Sequence, residues 1–521
     1  MERSETDVPK GHGEVLTRPS YERWADVMRS NADAASAWEF TVAGVPAREL
    51  RAKARRETLA AAREFSERLG VPVMRPDAPE LIVMTGHQPE LYHPGVWAKD
   101  FLLQRLADET GAAAIDCVVD CDAFEAVEVV SPCMRPGVSR CRAYLALGGG
   151  STCFACAPVP SAEHVLAFCE AGDEALSTLP APAIRRHFAR FCEHLRGARD
   201  DARDLAELVT FARRRYEASA GTTYLELPVT AQSRTPAFAA FFADIALRAE
   251  EFADVHNAEL SDYRSRNRLR SKARPFPDLQ RGGDRVELPF WHVGRVRRAV
   301  WARLGEQVEV LADGEVLLSL PRDPAAAAEA AAAARLTLAP RAVTLTMFDR
   351  MFVADLFIHG TGGARYDLVT DAVLRRFYGV EPPAFAVTSM TMYLPLGVHA
   401  VTPAEVEAAG QKLNRLAHNP DQLLDEWRFD DPGERRDACA LAAEKAALTR
   451  AINQPGAEKK VLGARIRELN ERMAAMLAPL ADQLQRELES LGSQLEAADI
   501  MTDRTYPFCF WSPEEVADKL R

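Results

Sequence analysis

The most sustained alternation of apolar and polar positions lies near the C-terminus. From Leu462, apolar residues recur at Ile466, Leu469, Met473, Met476, Leu480, Leu484, Leu488, Leu491 and Leu495, a stride of three and four. This spacing predicts a coiled-coil helix of roughly 50 Å at 1.5 Å per residue, kinked at Pro479. Upstream, Ala438, Leu441, Leu448 and Ile452 form a shorter stripe that Lys445 interrupts, and NQPG (453–456) supplies a turn between the two. An antiparallel helical hairpin is therefore expected. Its seam could be filled within the chain or by a second subunit in a homodimer.

Elsewhere the apolar runs are short and continuous, as in strands buried on both faces of a parallel sheet. LIVMT (81–85) precedes the loop TGHQPELYHPG (85–95), and Val96, Phe101, Leu102 and Leu106 then follow helical spacing up to Gly111. AIDCVV (114–119) completes a strand–helix–strand unit. A similar alternation returns in RAVTLT (341–346), DLFIHG (355–360), the helical LVTDAVLRRFYG and FAVTSMTMYL (385–394). The stretch between these blocks reads as mostly helical. Its alanine tract DPAAAAEAAAAAR suits a surface or connecting helix.

The expected fold class is α/β: a Rossmann-like parallel-sheet core split by a largely helical insertion, with a C-terminal antiparallel coiled-coil hairpin. The segments are an N-terminal helical cap (1–80), the first part of the core (81–155), the insertion (156–335), the second part of the core (336–400), the helical coiled-coil region (401–500) and a tail (501–521).

At 521 residues, with 47% hydrophobic and 27% charged residues, the chain has the composition of a soluble globular protein larger than one ordinary core. A formal charge of −12 argues against gripping nucleic acid, which needs a clustered positive field. The polar start MERSETDVPKGHGE and the lack of an eighteen-residue apolar stretch lead to the expectation of a cytoplasmic protein with no membrane partner. Ten cysteines are too sparse for a disulfide scaffold, so buried thiols are expected. A zinc reading of CFAC (Cys153 and Cys156) with Cys117, Cys121, Cys133 and Cys141 is weakened by their irregular spacing.

In an open parallel sheet, ligands bind beyond the carboxyl ends of the strands, so the loops that follow strands carry the chemistry. The first loop offers Thr85, Gly86, His87, Gln88, Glu90 and His93, with Lys99 on the next helix. The second brings Asp120, Asp122 and Glu125, acids able to hold an ammonium group, a ribose hydroxyl or a metal, or to act as bases. The third, HGTGGARYD (359–367), has Gly360, Gly362 and Gly363 before a helix, an arrangement that lets a backbone approach an anion. In DYRSRNRLRSKARPFP, Arg264, Arg266, Arg268, Arg270, Lys272 and Arg274 fall on alternate residues, and an extended chain would set them on one side as an anion clamp. Trp291, His292, Arg295, Arg297 and Arg298 could line a substrate entrance.

The order of these loops resembles the cysteine-adding enzymes of bacillithiol biosynthesis, the BshC family. Its Thr-Gly-Gln-Gln loop with a following lysine is similar to Thr85, Gly86, His87, Gln88 and Lys99; its acidic Glu-Asp-His-Asp loop to VVDCDAFE; and its Gly-Gly-Pro-Gly-Glu loop with a tyrosine to Gly360, Gly362 and Tyr366. The chain departs from that pattern at His87, in lacking the histidine of the acidic loop, and at Gly363, where the family has a glutamate.

The resemblance implies a ligase that condenses cysteine, or another amino acid, with an amino-sugar glycoside carrying malate. On that reading Asp120 and Asp122 take the ammonium group, His87 or His93 moves the proton, and the backbone from Gly360 to Gly363 holds an anion. Thr85, Gly86, Gln88, Lys99, Glu125, Tyr366, Arg264 and Arg268 would contact substrates. The cofactor is left open, with ATP or ADP the candidate. Two other readings compete: a metal-dependent hydrolase or transferase using His87, His93, Asp120 and Asp122 as ligands, and a non-catalytic scaffold that dimerises through the coiled coil.

Overall fold

The computed structural model describes residues 8–74, 76, 79–134, 137–269, 271, 276–397 and 401–521. The chain divides into two compact units, one of Met1–Cys133, Arg140–Leu394 and Arg504–Arg521, the other of Met134–Ser139 and Pro395–Asp503.

The larger unit is built on a six-stranded sheet of β1 (Val15–Arg18), β2 (Ile82–His87), β3 (Ala113–Val118), β4 (Leu225–Pro228), β5 (Leu356–Gly360) and β6 (Ala386–Met390), in the order β1-β6-β5-β2-β3-β4. All neighbours run parallel except β1, which closes the edge antiparallel to β6. The expected strands at 81–85, 114–119, 355–360 and 385–394 are present, and their unbroken apolar runs follow from burial on both faces.

Five helices matter for the site: α1 (Ala47–Ser66), α2 (Pro94–Thr110), α3 (Leu205–Glu217), α4 (Ala249–Arg266) and α5 (Thr361–Phe377). Helix α2 starts on a proline behind the His93 cap and stops at Gly111, whose φ of 72° is the left-handed value that favours glycine. Helix α1 belongs to the core instead of capping it: Leu50, Ala54, Leu59 and Ala62 pack into the main hydrophobic cluster.

The insertion departs from expectation. It is helical through Arg266 except for β4, which is a strand of the main sheet, but it then forms a separate antiparallel sheet of Arg281–Gly282, Arg285–Val293, Arg297–Leu304, Val308–Ala312 and Glu315–Leu320, joined by Leu338–Pro340. One of its hairpins turns on Asp313 and Gly314, both at positive φ (50° and 84°), as a two-residue primed turn requires. RAVTLT is not a strand: Ala342–Phe348 is helical, with Thr344 donating to the Pro289 carbonyl at 2.8 Å. The alanine tract forms the helix Pro324–Ala333 and is not merely a surface element. Ala327 and Ala331 are buried, and their small side chains let it lie close to the phenylalanine-rich helix Pro236–Leu247.

The run of basic residues is not an extended clamp. Arg264 and Arg266 end helix α4, and Arg268 follows at a φ of 53°; Arg270, Lys272 and Arg274 lie outside the described residues. Most cysteines are thiols as expected, eight of them free, but Cys153 and Cys156 form a disulfide instead of two buried thiols.

The smaller unit consists of the helices Pro403–His418, Pro432–Ile452, Lys459–Met476 and Ala478–Met501 with a 3₁₀ segment Pro420–Glu426. The single long helix expected from Leu462 is two helices that break at Leu477, with Pro479 in the first turn of the second. Lys459–Met476 packs on Pro432–Ile452, and Ala478–Met501 packs on Pro403–His418. Leu469, Met473, Leu480 and Leu484 of the stripe are buried within the chain, whereas Leu462, Ile466, Leu488, Leu491 and Leu495 remain half-buried. Lys445 is accommodated among them because its ammonium reaches Asp421 and Asn419 Oδ1 (3.2 Å).

Candidate functional site

From β2 the chain steps outward through β3 to β4, then returns to the other side of β2 with β5 and β6. The strand order therefore reverses between β2 and β5, the place where open α/β sheets leave a crevice at their carboxyl ends. A cavity of about 550 Å³ lies there. It is lined by the first loop (Gly86, His87, Gln88, His93), by Asp122 of the second and by Gly360, Gly362, Gly363 and Tyr366 of the third, so parts of all three loops meet.

His87 ends β2 with Nδ1 3.1 Å from the Gln88 carbonyl and its ring edge-on to Tyr92. Burial, with Lys99 nearby, pushes its pKa down to about 3, so the imidazole is neutral. Gln88 donates to Asp122 Oδ2 at 2.9 Å, and Arg297 reaches Asp122 Oδ1 at 3.1 Å. His93 accepts the Gly95 amide on Nδ1 at 3.0 Å and so caps helix α2. A side chain at Gly95 would meet the Met390 carbonyl at 2.6 Å. Asp122 also borders a smaller cavity of about 250 Å³, in which the guanidinium groups of Arg297 (4.4 Å) and Arg341 (4.0 Å) each lie over the Trp291 ring.

Arg504 and His359 line the cavity as well, and no sequence motif marks either as a site residue. Arg504 enters from the C-terminal segment and donates to Ser389 Oγ (3.2 Å) and the Met390 carbonyl (3.0 Å). His359, next to the end of β5, places Nε2 3.0 Å from Asp367 Oδ2 on helix α5. Asp367 is buried, which works against its charge, but Arg350 and His359 outweigh that and hold the carboxyl well below the usual range. Thr346 donates to its other oxygen at 2.6 Å. With Nε2 turned to a carboxylate, the proton on that side is fixed and Nδ1 is left as the acceptor. A Cβ at position 363 would lie 3.1 Å from this Nδ1, so glycine keeps it uncovered.

Lys99 also lines the cavity, where it is buried and donates to the Gly86 carbonyl at 2.6 Å, bracing the first loop. Next to it Arg213 of α3 meets Asp100 (3.0 Å), Asp116 (2.8 Å), Glu226 (2.8 Å) and Glu217 (3.3 Å), with Tyr224 at 2.6 Å. Burial and the neighbouring Asp116 push Asp100 up to about 8.

Other expected residues lie elsewhere. Thr85 is buried and its hydroxyl donates to the Ile358 carbonyl at 2.8 Å, tying β2 to β5. Asp120 accepts the Thr230 amide at 3.0 Å and its hydroxyl, facing a separate pocket with Asp204 and Arg234; burial pushes it up to about 6. Glu125 is exposed and does not line the cavity. Arg264 pairs with Asp278 at 2.6 Å, and Arg268 lines a pocket between α4 and α5. His87, His93, Asp120 and Asp122 thus do not converge as a ligand set, and among the described residues no group of three or more His, Cys, Asp or Glu is arranged to hold a metal.

The raised carboxyls set a pH dependence. Asp100 (about 8) and Asp204 and Asp349 (both about 7) each keep a proton in the fold that the unfolded chain releases near pH 4. Their contribution is complete below that pH and is lost as pH rises through the folded values. Lys99, pushed down by burial, acts in the opposite sense but is one group against three. His87 opposes them only below its ordinary value of about 6.5. The melting temperature is therefore expected to fall between pH 6.5 and 8; scanning calorimetry showing a rise would refute this.

In comparisons with known proteins, no family model matches the chain and no curated protein matches it.

Proposed function

We propose that the chain is a carbon–nitrogen ligase of the BshC type, whose sheet is a Rossmann-like core and which condenses cysteine, or a similar amino acid, with an amino-sugar glycoside in the crevice between β2 and β5. The observation that carries this reading is the meeting of the three loops on one cavity at the reversal of strand order. Condensing a carboxyl with an amine requires an oriented amine, a base and donors for anionic groups. Asp122, held by Gln88 and Arg297, suits the ammonium group. His359, oriented by Asp367, suits proton removal at Nδ1. Arg504 and the first turn of α5 suit a carboxylate or phosphate. Gly363, where the family carries a glutamate, leaves the space that the His359 imidazole uses. His87 and His93 are engaged as a neutral loop residue and a helix cap, so the base moves from them to His359.

Thermal shift with cysteine, other amino acids, glucosaminyl malate, ATP and divalent metals, followed by mass spectrometry of the mixture, tests the proposal. Cysteine with the amino sugar is expected to raise the melting temperature, and with ATP present to activate the carboxyl the mixture should give the condensed product. Stabilisation by a divalent metal alone, with activity lost on chelation, would move the assignment to a metal-dependent hydrolase or transferase.

A further inference from the structure

The Cys153–Cys156 disulfide closes a turn of only four residues. So short a loop restrains the unfolded chain little, and the bond's use is better sought in its surroundings than in stability. The turn is zipped to the loop that carries Asp122. The Phe154 amide donates to the Asp122 carbonyl (3.2 Å), the Ala155 amide to the Asp120 carbonyl (2.9 Å), and Ala123 and Cys153 form an antiparallel bridge. Phe154 stacks on Phe124 at 4.6 Å, and the Arg297 amide donates to the Ser151 carbonyl at 2.9 Å. Both residues joined at the Asp122–Arg297 pair are thus anchored by main-chain bonds to residues 151–155. The two sulfurs differ in access. Cys153 is fully buried, whereas Cys156 is half-buried and follows Ala155, which lines a pocket of about 520 Å³ distinct from the central cavity.

We infer that Cys153–Cys156 is a thiol–disulfide exchange site for small-molecule thiols, and that its redox state controls how firmly the Asp122 loop is held. A thiolate RS⁻ attacks the more accessible Cys156 Sγ, forming a Cys156–S–S–R bond and expelling Cys153 as thiolate, which takes up a proton. A second RS⁻ attacks that mixed disulfide, releasing RSSR and leaving Cys156 as thiol. Two thiols are oxidised and one protein disulfide is reduced; RSSR reverses both steps. Reduction removes the cross-link from the turn on which the Asp120–Ala123 segment rests. This inference does not depend on the substrate of the central cavity.

The test equilibrates the full chain with cysteine/cystine mixtures of stepped ratio, without substrate, then traps thiols by alkylation and maps them by mass spectrometry. Cys153 and Cys156 are expected to convert together from disulfide to dithiol across the series. In Cys153→Ala the added cysteine should be found on Cys156, and in Cys156→Ala none on Cys153. Hydrogen exchange of the oxidised and reduced wild-type chain should show lost protection at the Phe154 and Ala155 amides on reduction. A pair that stays in one state at every ratio, or cysteine captured by Cys153 instead of Cys156, would overturn the exchange site. Unchanged protection at these amides would overturn the control of the Asp122 loop. The wild-type measurements decide the matter even if a variant fails to fold.

Discussion

Replacing His359 by alanine is expected to lower turnover of the condensation by roughly 10²–10⁴-fold, the usual contribution of a positioned general base. The chain should stay folded, because Asp367 retains Arg350 and Thr346 as partners when the imidazole is gone. Asp367→Asn should lose turnover on a comparable scale, up to about 10⁴-fold, because an amide in place of the carboxylate favours the wrong tautomer of the imidazole it orients. A variant that keeps its turnover but melts lower would make His359 a packing residue and return the search for a base to His87.

The second large effect concerns stability. Arg213 is the shared partner of Asp100, Asp116, Glu217 and Glu226, all buried. Arg213→Met fills similar volume but leaves these acids short of a cation. Breaking a buried ion pair from one side costs roughly 3–5 kcal/mol, and Arg214, which meets Glu217 at 3.1 Å and Glu226 at 3.2 Å, offsets only part of that. Urea denaturation should show a cost of this size, largest at high pH, where the acids must ionise. A loss below about 1 kcal/mol would mean that protonated acids tolerate the vacancy.

The strand–helix–strand unit at 81–119 could be read in the sequence because buried parallel strands are apolar throughout and α2 carries ordinary start and stop signals. The first and third loops were legible for the same reason. Asp120 was misplaced because Asp120 and Asp122 sit in a turn, where the alternation that would aim both acids the same way does not hold. His359 lies inside HGTGGARYD, where the glycines are the stronger local signal. Its role rests on Asp367 and Arg350, brought to it by the packing of α5 and the segment before β5, which no local pattern displays. The second sheet did leave a signal, Asp313-Gly314 between apolar runs, which the abundance of helical pattern around it obscured. The C-terminal stride identified helices correctly but could not show that Leu477 divides them.

The antiparallel edge strand β1 also has a bearing on synthesis. Val15 pairs with Met390 and Arg18 with Val387, so this strand has its sheet partner among residues made far later than itself. At about 5–20 residues per second, the N-terminal strand waits roughly 20–75 s after its own synthesis before β6 exists. Throughout that interval β1 is unpaired backbone, open to other chains on the same message. The brevity of β1, four residues, limits that exposure, and the ribosome must finish most of the larger unit before its sheet can be sealed.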